Sequence, residues 1–251
     1  MSQTEKATRF AALHKKGEPV VLYNIWDAGG AKTLVKAGAE AVATGSWSVA
    51  AAHGYSDGEA IPLDFVVMIV DRICTTVDVP VTVDFEGGYA TDPAELAENV
   101  RRIIRAGAIG INFEDRIVQG EGLHPISRQV ERITAIRSVA EAEGVPLFIN
   151  ARTDLFLGTD PDTHKGRVSE AKEREAAYAG AGASGFFIPG LADDTLITDV
   201  VDAAALPVNV MMGGDLKSVD QVAALGVSRA SFGPVPYVRA NGDLKKRFAE
   251  I

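Results

Sequence analysis

The stretch VPVTVDFEGGYATDPAELAENVRRIIRAGAIGINFED (79–115) holds two short apolar runs separated by an amphipathic segment. The runs VPVTVDF and AIGINFE are almost continuously apolar, which is typical of parallel strands buried on both faces. Between them, Asp92 and Pro93 suit the N-cap and first position of a helix, and Gly107 suits its C-terminal end. The stretch therefore predicts a strand–helix–strand unit with parallel strands.

The same alternation continues along the whole chain, with amphipathic segments such as 127–144 and 169–182 between short apolar runs. The runs are PVVLYN (19–24), EAVATG (40–45), VPVTVDF (79–85), AIGINFE (108–114), VPLFINA (145–151), SGFFIPG (184–190), LPVNVMM (206–212) and VSRASFG (227–233). Eight such units in 251 residues predict one (β/α)8 TIM-type barrel domain over residues 1–251. An open doubly wound sheet is the alternative, although no G-x-G-x-x-G follows the first run.

Composition and charge narrow the classes of partner. The net charge is −9, which argues against nucleic acid or an anionic membrane as the main partner. No apolar run approaches the ~18 to 20 residues of a membrane span. One cysteine, Cys74, excludes an intramolecular disulfide, and the polar N-terminus MSQTEKATRF lacks a secretory leader, so we expect a cytoplasmic location.

Acidic side chains follow two neighbouring strands at the end where such barrels carry their chemistry. Asp84 and Glu86 are two residues apart and point to the same side, and Glu114 ends the next strand, about 5 Å away. Like charges this close repel by roughly 4 kcal/mol per pair at an effective dielectric of 20, unless a pKa rises or a cation binds. Oxygen ligands without His or Cys favour Mg²⁺ or Mn²⁺ over Zn²⁺, so these residues predict a metal site.

Other strand ends carry candidate ligands for a substrate. Arg152 suits bidentate binding of a carboxylate or phosphonate, although an ion pair with a neighbouring acid is the alternative. The segment around Ser46 and Trp47 offers backbone N–H groups to an oxyanion, or is a simple tight loop. Asn209 ends the seventh strand and is a further candidate. No strand end carries the lysine of a Schiff-base aldolase.

Several longer motifs together resemble the isocitrate lyase / phosphoenolpyruvate mutase superfamily, in particular its small phosphonomutase-like members. They are NIWDAGGAKTLVKAGAEAVATGS (24–46), AAHGYSDGE (51–59), VTVDFEGGYA (81–90), GINFED (110–115), INARTD (149–154) and the FFIPG and PVNVM stretches. The resemblance implies a modified (β/α)8 barrel, usually a homo-oligomer. It also implies Mg²⁺ beside a small 2-oxo acid or dicarboxylate, and stabilisation of an enolate.

The resemblance also implies roles for individual residues. Asp84 matches the direct metal ligand, Glu86 stands where the family usually has Asp, and Glu114 and Asp57 match carboxylates that act through water. The loop with Ser46 and Trp47 matches the part that binds the 2-oxo acid, and Arg152 matches the arginine for its carboxylate.

The loop after the fourth strand departs from the family pattern. Carbon–carbon lyases of the superfamily carry a K-K/R-C-G-H motif there with Cys as general acid, whereas RIVQGEGLHPISRQ (116–129) has no Cys. Glu121 and His124 are the remaining candidate acids or bases, beside Arg152 as a catalytic candidate. Cys74 lies in a predicted helix, as a small buried apolar residue. The segment after residue 233 is short, so exchange of the last helix between subunits is not expected.

These observations favour a Mg²⁺-dependent lyase that cleaves a C–C bond of a small 2-oxo or 2-hydroxy carboxylate through a metal-stabilised enolate. Two alternatives stay open. One is P–C chemistry of the phosphoenolpyruvate mutase or phosphonopyruvate hydrolase type. The other is a barrel that binds a carboxylate without turnover.

Overall fold

The computed structural model describes residues 1–251 and contains eight strands, all parallel to their neighbours. The strands are β1 (Val20–Leu22), β2 (Val42–Ala43), β3 (Val81–Asp84), β4 (Gly110–Glu114), β5 (Phe148–Arg152), β6 (Gly185–Phe187), β7 (Val208–Met211) and β8 (Arg229–Ser231). Each strand lies in one of the eight apolar runs, and only β5 extends past its run, by one residue. The prediction of eight buried parallel strands is confirmed.

The sheet closes into a nearly complete barrel. Its strand order is β1-β8-β7-β6-β5-β4-β3-β2, so β1 and β2 are the two edges. These edges meet at a single parallel bridge between Ile25 and Thr44. The Ile25 N–H donates to Ala43 O at 2.9 Å, and the Gly45 N–H donates to Ile25 O at 3.2 Å. Sequential strands with joined edges identify the (β/α)8 barrel and exclude the open doubly wound sheet.

Ten α-helices surround or cap the barrel. They are α1 (Gln3–Ala12), α2 (Ala28–Lys36), α3 (Ser46–Ala52), α4 (Leu63–Thr76), α5 (Pro93–Arg105), α6 (Ile126–Ala142), α7 (His164–Gly180), α8 (Asp194–Ala203), α9 (Val219–Ala224) and α10 (Val235–Ala249). None of them is long and apolar enough to cross a membrane.

Helix α5 shows how the sequence positions these elements. The Asp92 carboxylate accepts hydrogen bonds from the N–H groups of Ala94 and Glu95, and Pro93 takes the first helical position. Leu96 and Val100 lie on the buried face. Each buried side chain of this size stabilises the fold by about 1.5 to 3 kcal/mol. This packing fixes the loop between β3 and α5, which carries Glu86.

Two helices differ from the sequence expectation. Ser46 begins α3, so the expected loop at Ser46 and Trp47 is the first turn of a helix capped by Gly45. Helix α7 begins at His164 rather than near Ser169. A 3₁₀ turn over 161–163, capped by Asp160, leads into it, and no apolar period marks that turn in the sequence.

The end of the barrel opposite the carboxyl ends of the strands is closed by α1. Phe10 packs edge-on against Phe148, with ring centroids 5.3 Å apart, and His14 stacks on Phe148 at 4.1 Å. Burial and the charge of Arg229 lower the pKa of His14 to about 3, so its ring is neutral. This closure leaves the carboxyl ends of the strands as the accessible end of the barrel.

Candidate functional site

A cavity of about 180 Å³ opens at the carboxyl ends of the strands. It is lined by Asn24, Gly45, Ser46, Trp47, Ser48, Asp57, Asp84, Asn112, Arg152, Leu157, Phe187, Pro189, Met211, Ser231, Gly233 and Pro234. Asp57, Asp84 and Arg152 are its ionisable side chains. The cavity therefore lies where the sequence placed the chemistry, with more negative than positive charge.

Asp84, at the end of β3, accepts hydrogen bonds on only one of its two carboxylate oxygens. Its Oδ2 accepts hydrogen bonds from the backbone N–H of Ser46 at 3.1 Å and from the Ser46 Oγ at 3.0 Å. Its own N–H donates to Thr44 Oγ1 at 3.0 Å. Its Oδ1 is buried and has no hydrogen-bond partner. Since a buried carboxylate oxygen without a donor is costly, this atom is suited to an incoming cation.

Glu86 is buried beside Asp84 in a strained turn. The φ angles of Glu59, Glu86 and Tyr89 are 59°, 50° and 59°, a left-handed conformation that side chains other than glycine rarely adopt. Glu59, from the loop before α4, fixes this turn through two hydrogen bonds. Its N–H donates to Glu86 Oε2 at 2.8 Å, and its Oε1 accepts from Tyr89 N–H at 2.8 Å. Sequence reasoning missed Glu59, although GYSDGE contains it.

Burial and the negative charges of Asp57 and Asp84 raise the pKa of Glu86 from 4.5 to about 8. Asp57 is exposed to solvent, and its Oδ1 lies 3.5 Å from Ser46 Oγ. Partial desolvation and the charge of Asp84 raise the pKa of Asp57 as well. Both shifts favour the protonated form of these carboxyls in the metal-free protein.

Arg152 links the acids of β3 and β4. Its Nε and Nη2 donate to the two oxygens of Asp154 at 2.5 and 2.9 Å. Its Nη1 lies 3.0 Å from Glu114 Oε2 and 4.0 Å from Asp84 Oδ1. Burial would lower the pKa of Arg152, but these three carboxylates more than offset it and raise the pKa. Burial also raises the pKa of Glu114 well above 4.5 despite Arg152.

Arg152 retains donors for a ligand. A guanidinium has five N–H groups; Asp154 accepts from two of them, and Glu114 Oε2 lies 3.0 Å from Nη1, which leaves two for a ligand. The sequence left open whether Arg152 forms an ion pair or binds a ligand. The structure shows the ion pairs, and Arg152 also lines the cavity.

No three acidic, histidine or cysteine side chains lie close enough together to ligate one ion by themselves. Mg²⁺, however, usually keeps several waters and binds proteins through one or two carboxylates plus substrate oxygens. The unpartnered Asp84 Oδ1 and the surrounding hard oxygen donors fit such a hydrated ion. They do not fit a cage of three direct carboxylate ligands.

A separate hydrogen-bond network is centred on Asp115, between the barrel and α7. Asp115 is fully buried; its Oδ1 accepts from the Asp154 N–H at 3.0 Å, and its Oδ2 accepts from Tyr178 Oη at 2.8 Å and Arg174 Nη1 at 3.1 Å. The network therefore positions Asp154, which holds Arg152. The sequence pattern did not predict this network. A signal existed, because Arg174 and Tyr178 share the buried face of α7 with Val168 and Ala171.

The remaining predicted residues are dispersed. Trp47 lines the cavity and is 40% exposed. Asn209 is buried inside the barrel below the cavity, with both amide atoms unpartnered. Glu121 is exposed in the short hairpin after β4, and His124 lies in a separate surface groove with Arg116 and Arg132. The structure thus does not bring Asn209, Glu121 or His124 into the lining of the cavity.

Cys74 lies in α4, as predicted, although it is half-buried rather than fully buried. Burial raises the pKa of its thiol to about 12, so it is unreactive at neutral pH.

The fold and the cavity together place the chain among barrel enzymes. A family model described as phosphoenolpyruvate phosphomutase matches residues 10–251, so the chain belongs to the phosphoenolpyruvate phosphomutase family. The resemblance to the isocitrate lyase / phosphoenolpyruvate mutase superfamily is therefore confirmed, and its named members are lyases and mutases.

Three known proteins illustrate the similarity. The chain is 42% identical to a Burkholderia cenocepacia J2315 protein with a proposed phosphonomutase assignment, with a TM-score of 0.96 over 99% of both chains. It is 28% identical to 2-methylisocitrate lyase of Escherichia coli (strain K12) over 214 residues, which are 83% of this chain and 70% of that protein. A phosphonopyruvate hydrolase in complex with oxalate and Mg²⁺ shares the fold, with a TM-score of 0.86 and 20% identity over 98% of this chain and 86% of that chain.

Proposed function

We propose that this protein is a lyase that depends on Mg²⁺ or Mn²⁺ and cleaves a C–C bond of a small 2-oxo or 2-hydroxy carboxylate. The observation that supports this most is the buried Oδ1 of Asp84, which accepts no hydrogen bond and lies 4.0 Å from Arg152, beside a cavity whose two carboxylates outnumber that one cation. The name of the E. coli relative is in accord with C–C cleavage.

Asp84 would hold the metal directly, and Glu86, Glu114 and Asp57 would hold its waters. When bound, a divalent cation supplies charge stabilisation for an enolate oxygen. Ser46 fixes the orientation of Asp84 through two hydrogen bonds. Arg152, oriented by Asp154, binds the substrate carboxylate through its remaining N–H groups.

Bond cleavage leaves an electron pair that must be protonated. Asp57 is the ionisable side chain on the cavity that hydrogen-bonds neither Arg152 nor a backbone N–H of α3, so its carboxyl is available to act on a substrate. We therefore assign the proton transfer to the Asp57 carboxyl rather than to Glu121 or His124. Trp47 covers the mouth of the cavity. Asn209 acts only indirectly, from beneath the floor.

The experiment that tests this proposal measures oxalate binding and turnover. Oxalate should bind with Mg²⁺ or Mn²⁺ and lose affinity in EDTA, and a panel of malate derivatives and 2-oxo acids should release pyruvate or glyoxylate. Absence of metal-dependent oxalate binding would overturn the metal site. Tight oxalate binding without turnover would instead identify a carboxylate-binding barrel.

The second candidate is P–C chemistry on a phosphonopyruvate-like substrate. The observation that favours it is the 42% identity to the Burkholderia cenocepacia protein with the proposed phosphonomutase assignment. Phosphate release, or phosphorus NMR of phosphonopyruvate incubated with protein and Mg²⁺, distinguishes this candidate from the lyase.

A homo-oligomer is also part of the proposal. Leu244 and Phe248, one turn apart on α10, are 66% and 77% exposed. Exposed apolar side chains in one place favour burial against another surface. Light scattering coupled to size-exclusion chromatography measures the assembly, and Phe248→Asp should shift it towards the monomer.

A further inference from the structure

The floor of the cavity is polar, and a buried arginine lies beneath it. Asn112 and Ser231 line the cavity from β4 and β8, which face each other across the barrel. Arg229, two residues before Ser231, is fully buried and spans the interior between these strands. Its Nη2 donates to Asn112 Oδ1 at 3.0 Å, and its Nε donates to Ser231 Oγ at 3.1 Å. One guanidinium therefore holds side chains from opposite walls of the barrel.

Arg229 fixes the direction of the Asn112 amide. Asn112 Oδ1 also accepts from Asn150 Nδ2 at 2.8 Å, but two facing amides can exchange the roles of donor and acceptor. A guanidinium only donates, so the atom of Asn112 that faces Arg229 must be the oxygen. The Nδ2 atom of Asn112 keeps its two N–H groups, and the place of Asn112 in the lining opens them to a ligand.

Arg229 has the same effect on Ser231. Ser231 Oγ accepts the hydrogen bond from Nε, which leaves the hydroxyl hydrogen to be donated to another group. Nε and Nη2 are neighbouring donors on one edge of the guanidinium, the edge that Arg152 presents to the two oxygens of Asp154. Asn112 and Ser231 therefore lie side by side, as two donors at the floor of the cavity.

The charge of Arg229 favours an anionic ligand above these donors. Its two acceptors are uncharged, and its third nitrogen, Nη1, has no hydrogen-bond partner. Burial lowers the pKa of Arg229 to about 9, so the guanidinium stays positive at neutral pH. A buried cation without a carboxylate partner destabilises the protein, and a negatively charged oxygen on the floor would offset part of that effect.

We infer that Arg229 is a positioning residue, which makes the Asn112 amide and the Ser231 hydroxyl a pair of hydrogen-bond donors for a carboxylate oxygen of the substrate. This inference rests on the proposed function, because it needs a carboxylate substrate in the cavity. It goes beyond that function by assigning a binding surface on the floor, apart from the metal and Arg152.

Oxalate and oxamate test the inference on the whole protein with Mg²⁺. Oxamate carries an amide NH₂ in place of one carboxylate oxygen of oxalate. The metal, Arg152 and the donor pair all require an acceptor, so the wild type should bind oxalate more tightly than oxamate. In Arg229→Met the facing amides of Asn112 and Asn150 can turn over and present an oxygen to the ligand. The preference for oxalate, measured by calorimetric titration, should then fall by at least about tenfold.

Thr82→Val is the matched control. Thr82 is a buried polar residue of the barrel whose hydroxyl has no partner and which does not line the cavity. This variant should keep the wild-type preference. A preference in folded Arg229→Met that equals that of Thr82→Val overturns the inference.

Ser231→Ala removes one donor directly and should weaken oxalate binding by about tenfold. Oxalate affinity equal to that of the wild type overturns the inference, and this result decides the question even if Arg229→Met does not fold. Arg229→Met should also weaken oxalate binding less in the Ser231→Ala background than in the wild type, because Arg229 acts partly through that hydroxyl. Equal effects in both backgrounds show that Arg229 acts through its charge alone and overturn its positioning role. Loss of metal-dependent oxalate binding in the wild type would instead overturn the proposed function itself.

Discussion

Glu114 and Asp115 are adjacent in the chain, yet they belong to opposite kinds of acidic cluster. Glu114 points into the barrel, where it shares Arg152 with Asp84 and Asp154. Asp115 points out to the helices, where its two oxygens accept hydrogen bonds from Asp154 N–H, Tyr178 Oη and Arg174 Nη1.

The difference distinguishes an acidic cluster that stabilises the fold from one that is suited to binding a ligand. Around Asp115, charge and hydrogen bonds are balanced within the protein, so the cluster stabilises the fold. Around Asp84 one carboxylate oxygen accepts no hydrogen bond, and the pKa values of Glu86 and Glu114 are raised, which supports the proposal that this cluster binds a ligand. Four predictions test this contrast.

Asp115→Ala should give the largest effect, a destabilisation of roughly 3 to 5 kcal/mol, because it leaves Arg174 and Tyr178 buried without their partner. Urea unfolding measures it. Glu170→Ala is the control, because Glu170 is the other carboxylate that contacts Arg174. The Glu170 side chain is 46% exposed, so its removal should lower the free energy of unfolding by under about 1 kcal/mol. A small effect of Asp115→Ala would show that the two clusters do not differ.

Asp84→Ala should lower the affinity for a ligand and not the stability of the protein. It should leave the metal-free stability unchanged or higher, because it removes repulsion, and it should weaken Mg²⁺-dependent oxalate binding by at least about 100-fold. Calorimetric titration of oxalate with and without Mg²⁺ measures the binding. Metal-dependent affinity within tenfold of the wild type would contradict the assignment of Asp84.

The raised pKa of Glu86 predicts the pH dependence of the metal-free protein. The folded state binds this proton more tightly than the unfolded state, so the contribution is fully present below pH 4.5 and is lost as pH rises to about 8. In EDTA, the stability of the wild type relative to Glu86→Gln should fall across this window, by at most about 1.4 kcal/mol per pH unit. A flat or rising difference would contradict the shift, and Mg²⁺ should reverse the fall.

Ser46→Ala should have the smallest effect. It removes the hydroxyl bond to Asp84 Oδ2 but keeps the backbone bond to the same atom. We expect about a tenfold loss of Mg²⁺ affinity in the presence of oxalate and no change in the urea midpoint. Ser48→Ala, in the same helix, is the control, since its hydroxyl has no hydrogen-bond partner.

The sequence predicted the barrel and most of the acids because both depend on local pattern. Continuous apolar runs define buried strands, and Asp84, Glu86 and Glu114 follow directly from strand ends. Asp115 follows Glu114 directly, but successive residues of a strand point to opposite faces, so only Glu114 joins the acids inside the barrel. Glu59, Arg174 and Tyr178 were missed because tertiary packing, not spacing, brings them to the site.

The single bridge between Ile25 and Thr44 has a consequence for motion. Every other neighbouring pair of strands is joined by at least two registered residue pairs, whereas this seam has one bridge. Two backbone hydrogen bonds and one from the Asn24 side chain to Thr44 O hold it. Local opening of the barrel should therefore begin between β1 and β2, at the rim of the cavity. The amide protons of Ile25 and Gly45 should exchange with solvent deuterium ahead of those of β4 and β5, and a ligand that spans the rim should slow them.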